Sequence, residues 1–389
     1  MKSWLKPGPG EKSSARWVKP EKGVWMSMDY NGPLHEMACT TPTDYWNDSC
    51  AVSELSYAIA RGAVGATSNP TIVLEVFKKE TAEWKPRLAE MIQADPAASE
   101  DTLTWRLIES MACRGAELLL PVFAREGGLK GRLSIQTDPR NYRDSAALLA
   151  QALHFASLAP NLQVKLPATR AGIAAIEEAT YRGVNINATV SFTVPQCLAV
   201  GEAVERGLNR RAAEGLSIEQ MAPVCTLMQG RLDDWLGVLL KRDGVLVDPG
   251  YIHWAGIAAV KRACALYQER GYRTRMLSAA YRHLLHWTEL IGGDLIQTIP
   301  YPWQVLYNNS GVAVEDHFHL PVEPRMIEGL RKAFPDFERA YQPEGLSLEE
   351  FDGFGSTART LRTFIGSYHE LAGAVRDAMI PDPDVKTAK

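Results

Sequence analysis

Short apolar or β-branched runs recur along the chain between longer stretches whose apolar residues fall every three or four positions. The runs are DYWND (44–48), AVGATS (63–68), RLSIQTD (132–138), LQVKLPA (162–168), VNINATVS (184–191), APVCTLM (222–228), TRMLSAA (274–280) and DLIQTIP (294–300). Runs of this length bounded by turn residues read as buried strands, and the stretches between them as helices. SAALLAQALHFASL opens on a serine N-cap, TRAGIAAIEEATYRG closes on Gly183 and IHWAGIAAVKRACALYQERG closes on Gly271, residue types that start and stop helices. Eight strands alternating with helices predict an α/β fold of the closed (β/α)8 TIM barrel type, because parallel strands need crossover helices and eight of them close without an edge. An open doubly wound sheet is the runner-up. Two long helical patterns occupy about 72–130, after strand 2, and further helices occupy about 304–380, including STARTLRTFIGSYHELAGAVRDAM at the C-terminal end. They read as additions to one barrel domain, 25–380, between a flexible N-terminal segment, 1–24, and a flexible tail, 381–389, neither of which has periodicity.

Chemistry in such a barrel gathers where the C-terminal ends of the strands meet. In order, those ends offer Asp48, Thr67 with Asn69, Gln136 with Asp138, Lys165, Asn187 with Thr189, and Thr226, followed by Arg231 in LMQGRLDDW and Arg282 in SAAYRHL. Taken singly, the aspartates read as caps or loop anchors, Asn69 before Pro70 as a turn residue and the threonines as ordinary strand formers. The two arginines, taken singly, read as partners of Asp233, Asp234 or another surface acid. Their joint placement argues otherwise. Lys165 stands between Val164 and Leu166 in a run that ends at Pro167; by itself its ammonium reads equally as snorkelling to solvent or as held in a pocket, where an amine desolvated at a barrel mouth loses proton affinity and becomes a nucleophile. Two guanidiniums beside the last strands suit a phosphate.

Composition changes this picture little. A chain with 46% hydrophobic and 23% charged residues and a formal charge of −4 gives no electrostatic reason to expect nucleic acid or an anionic membrane as partner. No apolar stretch approaches the roughly eighteen residues of a membrane span. Six scattered cysteines without a C-x-x-C pair, and an N-terminus without the apolar core of a signal peptide, read as a soluble cytoplasmic protein with free thiols. His317 and His319 alternate in EDHFHLP without a third ligand at metal spacing, and no dinucleotide or P-loop motif, G-x-S-x-G or H-E-x-x-H is present, so neither metal nor cofactor is expected.

The stretches GATSNPTI, KLPAT-x-x-G, INATVSF and GRLDDW, in this order within about 44–302, resemble the transaldolase family, whose members carry T-[TS]-N-P at the second strand, a Schiff-base lysine in [IV]-K-[LI] at the fourth and N-x-T at the fifth. The resemblance implies a class I aldolase barrel, without metal or cofactor, in which Lys165 forms an imine with a ketose and Asp48 is the acid/base. It implies that Thr67, Asn69 and Asn187 position sugar hydroxyls, that Thr189 holds the catalytic water, and that Arg231 and Arg282 hold the sugar phosphate. The activity it implies is transferase action on phosphorylated sugars, of the pentose phosphate pathway type. Three positions depart from the family pattern. Gln136 in LSIQTD replaces the glutamate of S-x-E-V-D, as in the fructose 6-phosphate aldolase branch; it keeps hydrogen bonding to a water and loses a titratable group. TLMQGR replaces S-P-F-V-G-R, so Thr226 stands for the serine and Met228 for the aromatic. Ala280 stands where a phosphate-contacting serine is common. Alternatives are therefore an aldolase that releases dihydroxyacetone, or a catalytically weakened sugar-phosphate binding protein. The helices added at the C-terminus are expected to cover the barrel mouth or to meet a second subunit, which leaves a homo-oligomer open.

Overall fold

Eight short strands pair in parallel and close on themselves in a computed structural model of the chain. It describes residues 30–381, 383 and 384 and the short antiparallel pair Trp17–Val18 with Met26–Ser27. The flexible ends expected at 1–24 and 381–389 otherwise lie outside the described residues. The strands are β1 Asp44–Asn47, β2 Gly65–Thr67, β3 Arg132–Gln136, β4 Leu162–Pro167, β5 Ile186–Ser191, β6 Val224–Leu227, β7 Arg275–Ser278 and β8 Ile296–Ile299. They run round the barrel in chain order, and β8 pairs with β1 from Ile296 against Asp44 to Ile299 against Asn47. Each falls inside one of the eight runs read from the sequence, and the open-sheet alternative is set aside by the closure.

Helices follow the strands as crossovers. Arg170–Tyr181 after β4 is capped by the Thr169 hydroxyl, and Val194–Ala213 after β5 by that of Thr193. Ser145–Leu158 after β3 is capped by Asp144, whose carboxylate accepts from the N–H groups of Ala146 and Ala147. Ser145, read as the cap, is thus the first helical residue; of two adjacent cap formers the chain uses the one that accepts two bonds. The insertion after β2 holds three helices, Pro70–Lys79, Thr81–Ala94 and Glu100–Arg125, where two were expected. The first two share Glu80 as C-cap and N-cap, so the hydrophobic period runs through the junction without a visible break.

Outward-facing Leu133, Ile135, Val164, Leu166, Ile186 and Ala188 pack with helix residues such as Ile173, Ile176 and Val200 in one buried core. The barrel interior is polar where side chains from neighbouring strands interlock. Ser134 donates to Gln163 Oε1 at 3.1 Å, Asn187 Nδ2 to Ser134 Oγ at 3.1 Å, and Thr226 to Asn187 Oδ1 at 2.7 Å. Burying these groups costs little because they satisfy one another. At the N-terminal end of the barrel, buried Asp44 on β1 pairs with Lys130 at 2.7 Å and with Arg275 of β7. At the opposite end the long helix Gly355–Met379 packs against Pro70–Lys79, Glu100–Arg125 and Gln229–Arg242 and touches β5. It buries Leu361, Phe364, Tyr368, Leu371 and Val375.

Candidate active site

Asp48, Asn69, Lys165, Thr226, Arg231 and Arg282 line one cavity of about 170 Å³ at the C-terminal ends of the strands. Lys165 reaches it because β4 alternates: Val164 and Leu166 point into the core between strands and helices, and the lysine between them points inward. Only 4% of Lys165 is exposed, and its Nζ donates to the backbone carbonyl of Ser68 at 3.2 Å. Burial lowers its pKa to about 8; the charge of Asp48 opposes that shift and that of Arg231 adds to it. At pH 7 roughly a tenth of the amine is then neutral, several hundred times the fraction of an ordinary lysine, and the neutral form is the one that attacks.

Asp48 follows β1 directly. Its Oδ1 accepts from the Thr67 hydroxyl at 2.5 Å, and Thr67 in turn lies 2.8 Å from Thr298 on β8. Burial raises the Asp48 pKa above the ordinary carboxylate value, against the pull of Lys165, the Thr67 hydrogen bond, Arg231 and Arg282. A carboxyl raised in this way lies closer to the working pH of a proton carrier than a surface aspartate does. Glu75, which the sequence reading passed over, also lines the cavity, raised by burial and by Asp48. The signal for it was present: Asn69 caps the helix, and Thr71, Ile72 and Glu75 then fall on one face at helical spacing.

Several predicted residues are engaged in ways the sequence did not reveal. Asn69 Oδ1 accepts from the Ile72 N–H at 3.0 Å as the N-cap of Pro70–Lys79, leaving its amide N–H groups for the cavity it lines. Asn187 spends Oδ1 on Thr226 and one N–H on Ser134. Gln136 lies level with Lys165 on the neighbouring strand, and Thr189 is opposite Pro167. Gln136 Oε1 and Thr189 Oγ1 are both buried without a hydrogen-bond partner among the described residues. Thr189 sits on a bulge: β5 pairs Ala188 with Cys225 and then Ser191 with Leu227, which leaves one extra residue in β5, and Val190 takes a φ of 54°. A β-branched residue in that region is an outlier of the kind found beside functional sites.

The two arginines differ. Arg282 gives Nε and Nη2 to Asp234, at 3.1 and 2.8 Å to Oδ1 and Oδ2, and Nη1 to the carbonyl of Tyr281 at 2.9 Å. It therefore has the surface-acid partner that an isolated arginine is expected to find while also lining the cavity. Arg231 forms no ion pair among the described residues and lies 5.3 Å from the centre of the Phe364 ring. They come together because Gly230 starts its helix against the turn at Ala280, itself at a φ of 68°. A Cβ on Gly230 would lie 1.9 Å from the Ala280 carbonyl oxygen.

Residues 45–326 match the transaldolase/fructose-6-phosphate aldolase family. The chain is 30% identical over 318 residues to a transaldolase of Thiobacillus denitrificans, an overlap of 76% of this chain and 82% of that protein. The chain belongs to the transaldolase/fructose-6-phosphate aldolase family. It is 27% identical over 264 residues to a transaldolase of Mycobacterium ulcerans, covering 62% of this chain and 70% of the relative, and 28% identical over 260 residues to transaldolase 1 of Streptomyces avermitilis, covering 61% and 68%. Its activity is of the transaldolase type, and the barrel is the one the family resemblance implied. Among the described residues no helix is long and apolar enough to cross a membrane.

Among the described residues of this transaldolase-family barrel, one cluster has metal-ligand geometry: Asp233, His283 and His286 offer ligand atoms within 4.8 Å of one another. The sequence reading missed it and weighed His317 and His319, which instead lie beside Glu289 and Asp316. In the cluster, His286 Nδ1 accepts the N–H of Arg282 at 3.1 Å, so the neutral ring carries its proton on Nε2 and donates it to Asp233 at 2.8 Å. With both nitrogens spent, His286 has no lone pair to give a metal. The buried Asp233–His286 pair instead holds the backbone of Arg282, and Asp233 also accepts from the N–H of Gly256 at 2.9 Å.

Proposed function

We propose that the enzyme transfers a dihydroxyacetone unit from a ketose phosphate to an aldose phosphate through an imine on Lys165. The observation that carries the reading is a single cavity holding a desolvated lysine, with its pKa lowered to about 8, and a carboxyl raised by burial, Asp48. Neutral Lys165 Nζ adds to the ketose carbonyl carbon, and loss of water gives a protonated imine. Asp48 takes the proton from the hydroxyl on the carbon β to the imine carbon, and the bond between the α and β carbons breaks. Its electron pair moves into the imine as an enamine, and the aldose leaves with a new carbonyl. Reversal on an acceptor aldehyde, with Asp48 returning the proton, forms the new bond, and water then hydrolyses the imine.

Gln136 and Thr189 are assigned to that water, on the ground that each has a buried oxygen without a partner. Thr67 fixes Asp48. Asn69, Asn187 and Thr226 face the sugar hydroxyls, and Arg231 and Arg282 the phosphate. With a net charge of −4 the whole surface does not draw in an anion, so an anionic substrate is held by the local arginines of the cavity. Cytoplasmic placement, and action of 25–380 as one unit, belong to the same reading.

Borohydride reduction in the presence of fructose 6-phosphate tests it. The expected result is a covalent adduct whose mass and peptide map place it on Lys165 and which is lost in Lys165→Ala. An adduct that survives that substitution, or none with any ketose, overturns the reading. Gln136, standing where the family has glutamate, favours a second reading in which dihydroxyacetone is released. Fructose 6-phosphate supplied with and without erythrose 4-phosphate separates the two: acceptor-dependent sedoheptulose 7-phosphate marks transfer, and acceptor-independent glyceraldehyde 3-phosphate marks release.

A further inference from the structure

Outside the Lys165 cavity lies a second, larger pocket of about 370 Å³ between the helices Gln229–Arg242 and Gly355–Met379, lined by Arg231, Ser356, Arg359, Thr360 and Arg362. Arg231 belongs to both cavities. Most arginines of the chain find a carboxylate, as Arg140, Arg206, Arg273 and Arg331 do. Arg231, Arg359 and Arg362 form no ion pair among the described residues. The acid that lines this pocket, Asp234, is held by Arg282. Three unneutralised guanidiniums around one space repel one another, and the arrangement is relieved by an anion bearing more than one charge.

Two further features point the same way. Neither helix has a side-chain cap on its N-terminus, and Arg231 and Ser356 lie in the first turns of those helices, so the positive ends of two helix dipoles border the pocket. The hydroxyl of buried Thr360 supplies a neutral donor beside the guanidiniums, while that of Ser356 donates to the Arg231 carbonyl at 3.4 Å and ties the two helices together. On the inner side, by contrast, Arg282 is already engaged by Asp234 and Tyr281, and position 280 is an alanine without a hydroxyl.

We propose that this outer pocket is the outward half of the phosphate site, in which Arg359 and Arg362 of the C-terminal helix join the shared Arg231 to hold the phosphoryl end of the sugar substrate that Arg282 borders from the inner cavity. The inference rests on the Schiff-base reading above and names the residues that set its preference for phosphorylated sugars. The same chemistry would also admit free inorganic phosphate, which then competes with the substrate through the shared Arg231.

The test replaces two exposed residues, Arg359→Ala with Arg362→Ala, in the full chain. Steady-state kinetics with fructose 6-phosphate and with unphosphorylated fructose give the preference between them. The subsite predicts that this preference falls by about tenfold or more, through KM for the phosphorylated sugar rather than kcat. Inhibition by inorganic phosphate should weaken in parallel, and Arg359→Lys with Arg362→Lys should restore part of both. An unchanged preference overturns the proposal, and so does weakened phosphate inhibition without a change in preference, which assigns the pocket to the free ion. Borohydride trapping with dihydroxyacetone, which carries no phosphate, separates failure of the subsite from failure of the reading beneath it. Adducts on wild type and variant with an unchanged preference sink the subsite alone, and absence of an adduct on wild type sinks both.

Discussion

At the scale of single residues, Lys165 shows what a buried nucleophile costs. Its ammonium is more stable in the unfolded chain than in the barrel, which is why its pKa drops to about 8 from the ordinary 10.5. Between those values the unfolded state binds more protons than the folded one, so stability rises with pH across that window; below it the folded state carries the full penalty. Lys165→Met keeps the length and removes the charge, leaving Asp48 free to take up a proton. It is expected to stabilise the protein at pH 7 by roughly 1–3 kcal/mol. The gain should shrink as pH rises through the window and vanish above about pH 10.5, measured as the difference in urea midpoint between variant and wild type. A gain independent of pH would show that packing, not the amine, accounts for it.

At the scale of elements, the site depends on where two helices begin. Pro70–Lys79 begins at Asn69, so one residue both caps the helix and faces the cavity. Gln229–Arg242 begins pressed on the Ala280 turn, and Gly230 permits that contact: the added methyl of Gly230→Ala would meet a backbone carbonyl at 1.9 Å, and a carbonyl held in a turn cannot rotate away as a side chain can. The substitution is expected to cost about 1–3 kcal/mol. It should also raise KM for the phosphorylated sugar, because it separates Arg231 from Arg282. Denaturant unfolding and steady-state kinetics check the two effects, and a variant with lower stability and unaltered KM would show that the spacing of these arginines does not set affinity.

At the scale of the whole molecule, the two ends of the barrel divide the work. The C-terminal end collects the cavity groups, and the N-terminal end closes the first and seventh strands through Asp44, Lys130 and Arg275. Asp44→Asn is expected to lower stability by about 1–3 kcal/mol, since Lys130 and Arg275 lose a mostly buried partner. Its kcat and KM should match wild type, because the residue lies a full strand length from Lys165. A shift in either constant would mean that strain at the bottom reaches the mouth.

What the sequence by itself determined is considerable. All eight strands could be placed because strands buried on both faces read as short apolar runs, and Lys165 stood out because an ammonium inside such a run conflicts with its setting. Asp48, Asn69, Arg231 and Arg282 followed from being polar at strand ends, and the structure brings all four into the Lys165 cavity. What only the tertiary structure decided are matters of partners distant in the chain. The β5 bulge at Thr189 arises from pairing with β6, Asp234 takes up Arg282, the Ser68 carbonyl holds the amine, and Arg359 reaches the Arg231 pocket from a helix far along the chain. Local spacing sets the period and caps of an element, whereas a side chain's partner depends on which elements meet. That choice is made by burial across the whole barrel and leaves no mark within any one stretch.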